Sequence, residues 1–305
     1  MSHATEPTVP CREPGVSPQP ELHRPSARLD IGQELRAANP QLASRVPRFA
    51  VSGLERLLLQ HEVNTFLSQQ RDLSGAAVVE ALLRELQIDI DIGGAPWPKS
   101  RRLVVVANHP TGILDGAVLS HILAREYGGV RVLANAHLSR LEIAQDWLVP
   151  VARFGGRLSR EQAKRVREVL DDNTPLLVFP AGEVAKFGRR GAREVPWAYS
   201  FLHRARKWGR TVVPVHLSGH TSPSFHLVSV LRRLLRMDFH VEQLLLVREL
   251  RAQRGATVTA TVGHGIEPED LPVHGAEATE YVRRHTLALA TSMGTPKKGH
   301  PACKL

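Results

Sequence analysis

The sequence predicts an α/β fold, a mainly parallel sheet flanked by helices with an N-terminal helical segment ahead of it. Three observations carry this. From residue 103 onward, short apolar runs alternate with longer stretches whose apolar residues recur at helical spacing, a pattern that implies crossover units and parallel pairing. From Pro47 to Leu86 the periodicity is helical. With 305 residues, 42% of them hydrophobic, the chain is long enough for one large domain or two small ones around a sizeable core.

The elements follow in order. Residues 1–28 are rich in Pro, Ser, Glu and Arg and hold too little apolar surface to offset the entropy of ordering, so a disordered tail is expected. Residues 29–98 form the helical segment. In it Leu54, Leu57, Leu58 and His61 share one face, continued by Val63 and Phe66. A second helix carries Ala76, Val79, Ala81, Leu82, Leu83 and Leu86, with Ser74 as its N-cap. The string Gly93-Gly94-Ala95-Pro96-Trp97-Pro98 punctuates the passage to an α/β domain over 99–272.

That domain opens with strand 103–107, whose unbroken apolar run reads as buried on both faces. A helix around 115–126, strand 130–134 and a helical stretch near 138–147 come next. After a loop over 153–158, Ser159 caps a helix to Leu170 with Glu161 in its first turn. Strand 176–179, the loop 180–196, a helix over 197–208 and strand 211–217 follow. Pro214 donates no backbone hydrogen bond, which argues for an edge or terminal position. Val258–Val262 alternates with threonines as an edge strand does. Residues 273–305 hold a closing helix from Glu277 to Met293 and a basic tail through Lys297, Lys298 and Lys304. The chain shows no internal repeat.

A formal net charge of +10 favours acidic partners: anionic lipid headgroups, an acidic carrier protein, a phosphorylated cofactor or nucleic acid. The Arg-rich stretches 203–210 and 248–254 lack interleaved aromatics, which make up only 5% of the chain, so nucleic acid is not expected. Leu227 to Arg236 is an amphipathic basic stripe, either a surface helix packing its leucines on the domain or a peripheral contact with an anionic membrane. Cys11 and Cys303 form no disulfide framework, which fits a reducing compartment. Neither a signal-peptide core in the first thirty residues nor a run of roughly 18 apolar residues is present. A cytoplasmic protein is therefore expected, with any membrane contact peripheral at the inner face. Of the fifteen histidines, His216 and His220 stand four apart, but on a strand and a loop, where they need not converge. With no Cys pair and no His-Glu-x-x-His string, no metal is expected.

Four segments at strand ends carry the chemistry. Asn108-His109-Pro110-Thr111-Gly112-Ile113-Leu114-Asp115-Gly116 follows strand 103–107 directly. It sets a histidine and a carboxylate where open α/β sheets hold their ligands, and a His oriented by an Asp takes a proton from a hydroxyl or amine. Arg153-Phe154-Gly155-Gly156-Arg157 sets two guanidiniums around a glycine pair, suited to phosphate or carboxylate. Val178 to Phe187 runs a strand into Pro180, Gly182, Glu183 and Lys186. Val212 to His216 is the fourth segment.

Together, over about residues 50–272, these segments resemble the glycerolipid (1-acylglycerol-3-phosphate-type) acyltransferase superfamily, in particular its hemolysin-like lysophospholipid acyltransferase branch. That branch reads Asn-His-Pro-x-Gly-x-x-Asp-Gly and then Phe-Pro-Ala-Gly-Glu, which stand here at 108–116 and 179–183. The wider superfamily separates its His and Asp by four residues; here five intervene. The departure is accommodated if Pro110 to Gly112 loop out before the helix starts, since one added helical residue rotates a side chain by about 100°. In the third block Ala181 stands where the superfamily has Glu, and Glu183 follows Gly182.

The resemblance implies a glycerolipid acyltransferase-like fold, a role in lipid and phospholipid biosynthesis, and transfer of a fatty acyl group from acyl-CoA or acyl carrier protein to a hydroxyl (or amine) of a lysophospholipid-like acceptor. The thioester is a co-substrate, and no other cofactor is implied. His109 would act as general base and Asp115 would orient it. Asn108, Thr111, Arg153, Arg157, Gly182, Glu183 and Lys186 are the substrate-binding candidates. Backbone N–H groups near Gly182, or a helix N-terminus, are candidates to hold the oxyanion. No Gly-x-Ser-x-Gly elbow and no core cysteine point to a covalent intermediate. The alternative is a non-catalytic basic protein holding an acidic lipid or carrier on the same fold. The intact His109 and Asp115 favour the enzyme, because a binding module has no need of an oriented base.

Overall fold

The computed structural model describes residues 28–38, 40, 44, 46–73, 75–135, 147–151, 160–184, 186–188, 191–193, 196–222, 225 and 245–291. Outside them lie most of the N-terminal tail with Cys11, Ser74, the stretch 138–146, the Arg-Gly loop with Arg153 and Arg157, Ser159, the stripe 227–236, and the C-terminal tail with Cys303.

Among the described residues the helices α1 (Ile31–Ala38), α2 (Arg48–Leu57), α3 (Gln60–Gln69) and α4 (Ala76–Glu85) come first. The face predicted to continue from Leu54 to Phe66 is broken between α2 and α3, where Leu59 takes a left-handed conformation at φ 55°. Gly75 is the N-cap of α4.

The sheet has seven strands: β1 (Asp89–Gly94), β2 (Leu103–Ala107), β3 (Arg131–Asn135), β4 (Leu148–Val151), β5 (Leu176–Val178), β8 (Thr211–Leu217) and β9 (Thr257–Val262). Their order is β1-β9-β8-β2-β5-β3-β4, and a separate hairpin pairs β6 (Lys186–Gly188) with β7 (Gly191–Arg193). All neighbours in the sheet run parallel except β8 and β9. The connecting helices are α5 (Ile113–Tyr127), α6 (Arg160–Asp171), α7 (Ser200–Lys207), α8 (Leu246–Ala252) and α9 (Gly275–Ala288).

Layering follows from alternation along β2, which is buried at every position. Leu103, Val105 and Ala107 pack into one core with α4 and α5, through Leu83, Val118 and Leu119. Val104 and Val106 face the other, with Leu170 of α6, Phe201 of α7 and Val282 of α9. Helices thus cover both faces of a mostly parallel sheet, as the alternating pattern requires. Among the described residues no helix is long and apolar enough to cross a membrane.

Several expectations are corrected. Asp89–Gly94, read as the end of the helical segment, is an edge strand paired in parallel with β9. The threonine-alternating segment 257–262 is therefore interior, between β1 and β8. β4 was not foreseen, nor was the β6–β7 hairpin inside the loop 180–196. The closing helix spans Gly275–Ala288 rather than 277–293.

Pro214 is not at an edge, because β8 lies between β2 and β9. It is tolerated at a bulge. Val212 bridges Ile266 and Val215 pairs Val262, so three steps on β8 face four on the returning chain. The missing N–H falls at that irregularity, while the Pro214 carbonyl accepts from the Gly263 N–H at 2.8 Å.

At the N-terminal end of β8, the wholly buried Arg210 donates to the carbonyls of Leu103 (3.3 Å), Val169 (3.1 Å), Leu170 (2.9 Å), Thr174 (2.9 Å) and Asp172. It thereby satisfies the open C-terminal carbonyls of α6. Burial, with the neighbouring Arg102, pulls its pKa down to about 10.

Candidate active site

The site begins where β2 ends. Asn108, buried, pairs its amide with the backbone of Leu217: Nδ2 donates to the carbonyl at 2.8 Å and Oδ1 accepts the N–H at 2.7 Å. This peptide-like pairing holds the chain leaving β2 against the end of β8. Asn108 is thus turned to the backbone, a positioning arrangement.

Pro110, Thr111 and Gly112 then loop out before α5 starts at Ile113. Gly112 sits at φ 84°, ψ −115°, a conformation costly for any residue with a Cβ. A Cβ there would also lie 2.8 Å from Leu246 Cδ2 and 3.2 Å from Val184 Cγ2.

The loop brings Asp115, the third residue of α5, back onto His109. Asp115 Oδ2 accepts the backbone N–H groups of Thr111 and Gly112, each at 2.8 Å, and lies 2.9 Å from His109 Nδ1. Oδ1 accepts the Thr111 hydroxyl at 2.5 Å. The carboxylate is fully buried, whereas the His109 side chain is 18% exposed. Its place in the first turn of α5 also sets a negative charge at the positive end of the helix. The extra residue between His and Asp is therefore absorbed by the loop.

An acceptor-only carboxylate accepts a hydrogen bond from Nδ1–H of a neutral imidazole, the tautomer that leaves the lone pair on Nε2. The ring is held on its face as well: Phe179 stacks on it with centroids 4.2 Å apart and planes at 22°. Phe179 enters the site because β5 is the neighbour of β2, with Val178 in register with Val106. A turn follows, with Pro180 second and Gly182 last, closed by the Gly182 N–H donating to the Phe179 carbonyl at 2.9 Å. That N–H is committed to the turn. Glu183 follows, half-buried. Lys186 opens β6, but its side chain, like Arg153 and Arg157, lies outside the described residues.

The structure thus brings His109, Thr111 and Asp115 together and adds Phe179, which sequence reasoning left out of the site. The signal for Phe179 was its place just before the Pro-Ala-Gly turn, but its contact depends on strand order. Among the described residues no three His, Cys, Asp or Glu side chains stand together as a metal site.

A family model described as Acyltransferase matches residues 34–295. The lyso-glycine lipid O-acyltransferase of Bacteroides thetaiotaomicron is 29% identical over 259 residues, covering 84% of this chain and 95% of its own length. The protein of the same name from Phocaeicola vulgatus is 29% identical over 240 residues, covering 78% and 86%. Among solved structures, the 1-acyl-sn-glycerophosphate (LPA) acyltransferase PlsC from Thermotoga maritima matches with a TM-score of 0.43 at 16% identity, over 87% of this chain and 93% of that one.

Proposed function

The chain belongs to the acyltransferase family, and from that premise we propose that it transfers a fatty acyl group from a thioester donor to a hydroxyl of a lyso-lipid. The acceptor we favour is an amino-acid lyso-lipid of the lyso-glycine kind, which the names of two relatives support. The observation that carries the mechanism is the 2.9 Å contact between His109 Nδ1 and a buried Asp115 whose oxygens are otherwise filled by Thr111 and Gly112.

His109 Nε2 removes the proton of the acceptor hydroxyl as its oxygen attacks the thioester carbonyl. Asp115 stays ionised and stabilises the imidazolium that forms. The tetrahedral intermediate collapses with cleavage of the C–S bond, and the departing thiolate takes the proton back from His109. The products are an ester and a free thiol, and no covalent enzyme intermediate is needed. A net charge of +10 supports an acidic donor, acyl-CoA or acyl carrier protein, and a peripheral encounter with an anionic membrane surface.

Thiol release and ester formation would be followed with acyl-CoA and acyl carrier protein as donors, and lyso-glycine lipid and lysophosphatidate as acceptors. We expect His109→Ala to lower kcat by about 10²–10⁴-fold with the fold intact. Wild-type turnover in that variant would overturn the general-base role, and preferential turnover of lysophosphatidate would overturn the amino-acid lipid as acceptor.

A further inference from the structure

The chain leaving β8 passes beside the catalytic loop. Gly219 takes φ 129°, a conformation that glycine adopts freely and other residues rarely do. A Cβ there would stand 2.8 Å from Thr111 Cγ2, so the turn after β8 and Thr111 pack closely. Thr111 in turn supplies Asp115 with two donors, its N–H and its hydroxyl. The place of this turn therefore bears on the place of Thr111, and through it on Asp115.

The turn is held on both sides of Gly219. Upstream, Leu217 pairs with Asn108, the Ser218 N–H donates to the Thr259 carbonyl at 2.9 Å, and the Thr259 N–H donates to Ser218 Oγ at 2.8 Å. Downstream, the hold comes from α8. Glu249 Oε2 accepts the Ser222 N–H at 2.7 Å, and Oε1 accepts the Ser222 hydroxyl at 2.6 Å. Gln253, the C-cap of α8, donates from Nε2 to the His220 carbonyl at 3.1 Å. Leu246, Glu249 and Gln253 recur at helical spacing and share one side of α8, and Leu246 is the residue that abuts Gly112. That side of α8 thus meets the catalytic loop twice, directly at Gly112 and at Thr111 through the turn.

Glu249 is the unusual member of this face. It is 3% exposed, and among the described residues its carboxylate is met by the two donors of Ser222 and by no cation. Burying a carboxylate against neutral donors alone is costly, and an apolar side chain would serve packing as well. What Glu249 adds is a fixed position for Ser222 and for the turn that leads to it.

We propose that Glu249 is a positioning residue for acyl transfer: from α8 it holds the turn after β8 against Thr111 and so keeps Asp115 on His109. The inference rests on the general-base role proposed above for that histidine.

The test compares the wild type with Glu249→Ala, Glu249→Gln, Ser222→Ala and the double variant Glu249→Gln with Ser222→Ala. Val282→Ala, a truncation in the core on the other face of the sheet, controls for lost stability alone. Steady-state kinetics and thermal melts are measured for each. NMR of the full chain labelled in its histidine nitrogens, assigned by the signal lost in His109→Ala, reads which ring nitrogen of His109 holds the proton. We expect Glu249→Ala to lower kcat by about 10–10²-fold with KM little changed, and to spread that proton over both nitrogens where the wild type holds it on Nδ1. Glu249→Gln should recover most of kcat, because its amide oxygen can accept the Ser222 N–H while its NH2 donates to Ser222 Oγ. The double variant should lose that recovery. Ser222→Ala alone removes one of the two bonds and should lower kcat in the same sense by less. Val282→Ala should lower the unfolding midpoint and leave kcat and the His109 proton as in the wild type.

Wild-type kcat and proton position in Glu249→Ala would overturn the proposal, as would equal losses in Val282→Ala at a matched midpoint. If Glu249→Ala does not fold, unchanged kcat and proton position in Ser222→Ala overturn it instead. Absence of acyl transfer in the wild type would remove the proposed function, and the His109 proton would still decide whether Glu249 positions the dyad.

Discussion

Asp115 performs two tasks with one carboxylate, and a single substitution separates them. One oxygen takes the N–H groups of Thr111 and Gly112 and faces His109 Nδ1, and the other takes the Thr111 hydroxyl. In Asp115→Asn the amide oxygen can keep the N–H side, and the new NH2 can face Thr111 Oγ1, which then accepts instead of donating. The loop survives at a cost of about 1 kcal/mol, but the negative charge beside the imidazole is gone. We therefore expect kcat to fall by about 10²–10⁴-fold, with KM and the unfolding midpoint little changed. Steady-state kinetics beside a thermal melt decide it: near-wild-type kcat would remove Asp115 from the mechanism, and a collapsed melt would mean its role is structural.

The junction of β2 and α5 is the element on which the site turns, and Gly112 is its pivot. Alanine there would be held at φ 84° and would press on Leu246 and Val184. Strain of this kind costs about 1–3 kcal/mol, and moving the loop to relieve it would draw Asp115 away from His109. Gly112→Ala should thus lower both the unfolding midpoint and kcat, whereas relief of the apolar contact by Leu246→Ala in the same chain should restore only part of either, since φ stays positive. This junction was legible in the sequence. The unbroken run Leu103–Ala107 reads as a strand buried on both faces, and Pro110 and Gly112 mark the loop that absorbs the fifth residue between His and Asp. Where reading failed, the missing information was tertiary. Asp89–Gly94 mixes two aspartates and two glycines with its isoleucines and becomes a strand through its pairing with β9. With β1 in place, the threonine-alternating β9 becomes interior. Pro214 sits inside the sheet because of a bulge on the opposing chain, which its own neighbours do not encode. Phe179 reaches His109 only because β5 lies beside β2, an adjacency that chain order does not supply.

Across the whole molecule, the sheet gathers the catalytic candidates beyond the C-terminal end of β2, while burial lowers the pKa of two histidines, His121 and His216. His121, on α5, is 4% exposed, and its pKa is lowered from 6.5, chiefly by burial and further by Arg125, against a smaller opposing pull from Glu80. His216, half-buried near the end of β8, is lowered by burial alone. The unfolded chain binds these two protons near the ordinary histidine value, while the folded chain resists them until a lower pH. The unfolded state therefore holds more protons in between, and linkage makes stability fall as pH falls. Only about a unit or more above pH 6.5 are both groups neutral in both states, where they contribute no slope. The lowered carboxylates, Asp172 held down by Thr174 and Glu280 by Arg283, act in the same direction but only in the more acidic range where carboxylates titrate. The unfolding midpoint should thus be flat near pH 8 and decline as the pH falls through about 6.5. His121→Leu should flatten that decline, because leucine fills a similar apolar space and binds no proton. A decline as steep in His121→Leu as in the wild type would show that the acid sensitivity arises elsewhere in the fold.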